Sequence, residues 1–65
     1  MSDYSITLKD ESTNGEIFVS LRHTNDLIGF AISLELDGDV EIFLGLKEYK
    51  RLLNVMTEFT GSLNT

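Results

Sequence analysis

Residues 27–46, LIGFAISLELDGDVEIFLGL, decide the fold. Ile28, Phe30, Ile32, Leu34 and Leu36 alternate with Gly29, Ala31, Ser33 and Glu35, and beyond Asp37-Gly38-Asp39 the apolar residues Val40, Ile42 and Leu44 alternate with Glu41 and Phe43. Successive side chains of a strand point to opposite faces, so a period of two marks a strand with one apolar face. In an antiparallel pair, opposed residues share a face and their numbers have a constant sum. Leu34 and Ile42 must share a face, so that sum is even and the connecting loop holds an odd number of residues. The parity predicts a three-residue loop, or a bulge, with Leu36 opposite Val40.

Upstream the same period recurs twice. Tyr4, Ile6 and Leu8 alternate with Ser5, Thr7 and Lys9, and Ile17, Val19 and Leu21 alternate with Glu16, Phe18, Ser20 and Arg22. Asn14-Gly15 is a strong hairpin signal because both residues tolerate positive φ, and His23-Thr24-Asn25-Asp26 forms a polar connector. These two hairpins require loops with an even number of residues. Downstream of Gly45 the period changes. Leu46, Tyr49, Leu52, Leu53, Met56 and Phe59 form one helical stripe opposite Lys47, Glu48, Lys50, Arg51, Asn54, Thr57 and Glu58, and Gly61 offers a C-terminal stop. A helix of about fourteen residues, roughly 21 Å long, can lie across one face of a four-stranded sheet. The expected architecture is a single α+β domain over residues 1–65. It is a four-stranded antiparallel meander with one C-terminal helix packed on one face, ββββα. Its inner face carries Tyr4, Ile6, Leu8, Ile17, Val19, Leu21, Ile28, Phe30, Ile32, Leu34, Leu36, Val40, Ile42 and Leu44.

Composition narrows the function classes. The 65 residues contain no Cys and no Pro, so neither a disulfide nor a Cys-based zinc site can form. The longest apolar runs are too short to span a bilayer, and the first residues lack the basic and apolar regions of a signal peptide. A cytoplasmic location is expected. A domain this small folds with a thin margin and without any covalent staple, so association with a second copy is expected to help it.

Eleven acids face five bases, for a net charge of −6. Residues 1–46 hold nine of the acids and two of the bases, so the sheet is acidic and the helix is not. The alternation places Glu16, Glu35 and Glu41 on the outer face, with Asp37 and Asp39 at the hairpin tip. A single-sign acidic surface repels phosphate and attracts a basic protein surface. Phe18 and Phe43 also fall on the outer face. Outward aromatics among acids point to a contact surface, and to a homodimer through that face or through the edge strands one and four.

Other features carry less chemistry. Asp37-Gly38-Asp39-Val40-Glu41 has carboxylates at calcium-loop intervals, but its glycine is misplaced and no closing glutamate follows, so no metal site is expected. His23, the sole histidine, falls at the inner-face end of strand two without a nucleophile in a distinctive pattern. Lys47, Lys50 and Arg51 pair most simply with neighbouring acids such as Glu48. No phosphate-binding glycine loop is present. With no catalytic residues, metal or cofactor expected, the chain reads as a binding protein rather than an enzyme.

The ββββα order over nearly the whole chain resembles transcriptional coactivators of the positive cofactor 4 type, whose dimers bind single-stranded DNA. Those proteins bind through basic, aromatic strand faces, whereas the corresponding strands here carry Glu16, Glu35 and Glu41. In size, acidity and composition the chain is similar to small phage-encoded host-takeover proteins that mimic DNA. That resemblance implies a basic DNA-binding partner of the nucleoid-associated type, HU-like, whose DNA binding is blocked in the host cytoplasm. It implies no direct contact with nucleic acid or membrane. The reading from a different class is a small immunity or adaptor protein that binds one partner through the outer sheet face and the edge strands.

Overall fold

The computed structural model describes residues 3–63. Four strands, β1 (Asp3–Asp10), β2 (Gly15–Thr24), β3 (Leu27–Leu34) and β4 (Gly38–Gly45), are followed by one helix, α1 (Leu46–Leu63). The strands pair as an antiparallel meander in the order β1-β2-β3-β4. The architecture is therefore ββββα, α+β, as the change of period at Gly45 indicates.

Register follows the apolar alternation. Leu8, Ile17 and Leu34 lie on one rung, Ile6, Val19, Ile32 and Val40 on the next inner rung, and Tyr4, Leu21, Phe30 and Ile42 on a third. On these rungs apolar residues meet apolar residues, because a slip of one residue would turn each strand's apolar set to the other face.

The turns differ from expectation in detail. The β3–β4 loop has three residues, as parity requires, but they are 35–37, and Leu34 pairs with Gly38. Gly38 takes φ 90°, a backbone shape that L side chains resist, and the chain re-enters the sheet there. In place of the expected Leu36, Val40 pairs with Ile32, so the turn lies two residues earlier in the chain. Leu36 leaves the inner face for the loop, where it is 92% exposed, while every paired side chain keeps its face because the sum stays even.

The β1–β2 loop has four residues, 11–14, instead of turning tightly on Asn14-Gly15. The Asp10 carbonyl accepts hydrogen bonds from the amides of Asn14 (2.7 Å) and Thr13 (3.3 Å), and Asn14 supplies the positive φ, 65°. At the other end, His23 and Thr24 extend β2 and pair with Ile28 and Leu27, leaving a two-residue turn. Asn25 (φ 49°) and Asp26 (φ 64°) both take the left-handed conformation, which matches the twist of a two-residue hairpin.

The helix runs 18 residues, about 27 Å, and passes through Gly61. Gly61 does not adopt the positive φ of a terminating cap. Near the end of the helix Ser62 Oγ donates to the Phe59 carbonyl at 2.8 Å. Thr57 and Thr60 likewise donate to the carbonyls of Leu53 and Met56, each at 2.9 Å.

The helical stripe stands on the apolar side of the sheet but does not seal it. Tyr49, Leu52, Leu53 and Met56 face Leu8, Ile17, Val19, Leu21, Phe30, Ile32 and Leu34 across an open groove of about 460 Å³. At backbone level α1 approaches only β3 and β4, the strands beside its own start. Among the described residues no apolar side chain is fully buried. The single-chain core expected between sheet and helix is an open one, because β1 and β2 lie beyond the helix.

Candidate functional site

The site begins with the topology. In a meander, alternate loops share an end of the sheet, so the loops at 11–14 and 35–37 lie together. An ideal Cβ on Gly15 would sit 3.1 Å from Glu35 Oε1, which fixes how closely the loops approach. Asp10, Glu16, Glu35 and Asp37 line one concavity of about 240 Å³ with Thr13, Asn14 and Leu36. Glu11 lies in the first loop and Asp39 on the adjoining part of β4. Six carboxylates thus gather at the hairpin end, with Lys9 the nearby base on its strands. The bases Lys47, Lys50 and Arg51 belong to the first turns of α1, which starts at the opposite end of β4.

Asp10 organises the first loop. Its Oδ1 accepts from the Ser12 amide at 2.9 Å and from Ser12 Oγ at 2.7 Å. Both bonds favour the ionised carboxylate, and the Ser12 hydroxyl is the larger cause of a pKa held below the usual carboxylate value. Thr13 Oγ1 accepts from the Gly15 amide at 3.2 Å, closing the loop onto β2.

The outer face carries Glu16 and Glu41 as anticipated by alternation, and also Asp39, which was expected at the hairpin tip, but it is not a surface of one sign. Lys9 lies directly opposite Glu16, and Arg22 shares the face. Arg22 donates to Glu41 Oε2 at 2.9 Å, so one of the expected partner-binding acids is already engaged. Ser33 Oγ donates to Asp39 Oδ1 across the β3–β4 rung. Glu35 sits in the loop instead of on the strand, beside Asp37 at the hairpin tip, so the regular spacing of strand residues joins Asp39 to Glu41 but not Glu35 to Asp37.

The two outward aromatics have different settings. Phe43, Gly29 and Arg22 occupy one rung, and a Cβ at Gly29 would lie 3.3 Å from Phe43 Cε1 and 3.2 Å from Arg22 Cγ. Phe43 and Arg22 therefore lean over a glycine whose missing side chain leaves them room, and Gly29 is buried beneath them. Phe18 lies in a shallow depression with Thr7, Glu16, Ser33 and Glu35 and is 48% exposed.

His23 lies opposite Ile28 at the turn end of the sheet. It borders a cleft of about 610 Å³ with Tyr4, Leu21, Arg22, Asp26, Ile28, Leu46 and Tyr49. Arg51 pairs with Glu48 at 3.1 Å on the exposed side of the helix. Among the described residues, no group of three His, Asp or Glu side chains is arranged to hold a metal ion, and no helix is long and apolar enough to cross a membrane.

Alternation found Glu16 and Glu41 on the outer face, misplaced Glu35 there and Asp39 at the tip, and missed Asp10 and Glu11 as members of the acidic end. The signal was available in the meander itself, since its first and third loops must meet. The chain matches no protein-family model, no curated protein and no solved structure.

Proposed function

We propose that this chain is an acidic binding protein that occupies the DNA-binding surface of a basic partner of the nucleoid-associated, HU-like type. The observation that supports this reading is the convergence of the two hairpin loops. Carboxylates from residues 10–16 and 35–39 form one patch, while the helix bases stand at the far end of the strands. Such a patch offers the partner's Lys and Arg side chains the charge that phosphates would otherwise supply. Among the described residues Glu11, Glu16, Glu35 and Asp37 form no ion pair, whereas Glu41 is held by Arg22. The role requires no catalysis, metal or cofactor, and it places the protein in the compartment of its partner, the bacterial cytoplasm.

The test is competition. Fluorescent duplex DNA bound to purified HU-type nucleoid protein should be released by this chain, less effectively as salt rises. The combined variant E16Q/E35Q/D37N/D39N should keep its fold and compete at least tenfold less well, since charge-assisted contacts contribute about 1.5–3 kcal/mol each before screening. Equal competition by parent and variant would defeat the proposal. Phe18, half exposed in its depression, favours the second reading, an immunity or adaptor protein binding through the outer face. That reading requires a partner whose affinity drops with Phe18→Ala and barely changes with salt.

A further inference from the structure

The chain exposes far more surface than its mass warrants. Its accessible area is 5533 Å², against about 4,200 Å² for a folded monomer of this mass. Its radius of gyration is 13.6 Å, against about 10.7 Å for a compact domain of this length. The inner face and the helical stripe carry the most exposed paired and stripe side chains. On the inner face Tyr4 is 70% and Ile6 55% exposed, and on the helical stripe Met56 is 54% and Phe59 62% exposed. On the outer face Gly29 is buried beneath Phe43 and Arg22, while Phe18 and Phe43 stand about half exposed.

We infer that a second copy of this chain closes the groove between the inner sheet face and α1, and that the interface is this face rather than the outer one. The area supports that occupant. An excess of roughly 1,400 Å² per chain corresponds to about 2,700 Å² buried by two copies, within the range of obligate homodimers. The surface is also self-complementary in kind, since it offers a flat apolar sheet and a projecting apolar helix, and a two-fold axis presents each to the other. Charge selects the orientation. Each copy concentrates its carboxylates at the hairpin end, so a two-fold axis crossing the strands places the two acidic ends at opposite poles and avoids their repulsion. This inference is independent of the partner-binding proposal.

The experiment needs only the protein and two cysteine probes, which are unambiguous because the chain has no native cysteine. Sedimentation equilibrium from low to high micromolar concentration should return twice 7.3 kDa. Under the same conditions Met56→Cys should react with a thiol reagent at least tenfold more slowly than Phe18→Cys, and addition of mild denaturant should equalise the two. A mass of 7.3 kDa throughout overturns the inference. So does a dimer in which Phe18→Cys is the protected position or in which both react freely, and so does a larger assembly. Circular dichroism of each variant establishes that it retains the parent fold. Neither readout involves a basic partner, so failure of the dimer and failure of the acidic-site reading are separately visible.

Discussion

The two faces of this sheet are built from the same strands and reach opposite outcomes. On the outer face, contacts are completed between lateral neighbours: Phe43 and Arg22 lean over Gly29, Arg22 reaches Glu41, and Ser33 bonds Asp39. On the inner face, Leu, Ile and Val side chains stand in register and still meet solvent, because apolar burial needs a second layer and α1 reaches only β3 and β4. Hydrogen bonds and ion pairs can close within one layer. The hydrophobic effect scales with area removed from water and cannot.

The largest effect that would sharpen this contrast comes from adjacent residues on opposite faces. Val19→Asp places an unpaired charge where the apolar layers must meet and should lower stability by more than about 3 kcal/mol, abolishing any concentration dependence of the melting temperature. Its neighbour Ser20→Asp, on the outer face, should change stability by less than about 1 kcal/mol. Equal costs in urea titrations of the two variants would erase the distinction between the faces.

A smaller effect probes the closure of the outer face. The Gly29 position has only 3.2–3.3 Å to Arg22 and Phe43 for a Cβ, and a β-branched side chain needs more. Gly29→Val should therefore cost about 1–3 kcal/mol through overpacking, even though valine favours strands. A neutral or stabilising result in the same titration would mean that Phe43 and Arg22 are not seated there.

The smallest effect is a titration at the hairpin end. Asp10 has a folded pKa below its ordinary value because the Ser12 hydroxyl and amide stabilise the carboxylate. The sign follows from linkage. The group contributes stability that is fully present above the unfolded pKa near 3.8 and is lost as pH falls through the lowered folded value. NMR titration should show the Asp10 carboxyl shifting back toward the ordinary value in Ser12→Ala. An unchanged midpoint would remove the Ser12 hydroxyl as the cause.

Local pattern alone determined four strands, their order, the face of each paired side chain and the change to helix after Gly45. Period and parity are properties of neighbouring residues, and a register wrong by one residue would have turned a strand's apolar set to the other face. Tertiary structure decided what depends on distance through space. It drew Asp10 and Glu11 into one acidic end with Glu35 and Asp37, gave Glu41 to Arg22, and seated Phe43 over Gly29. It put Leu36 into the loop because the turn closed over residues 35–37, two residues earlier than expected, with left-handed Gly38 opening β4. It also carried α1 past Gly61 and left the inner face open. A stripe of apolar residues records that a helix has a face to bury, but the reach of that helix across β1 and β2 depends on the angle at which it leaves the sheet, and no spacing in the chain encodes that angle.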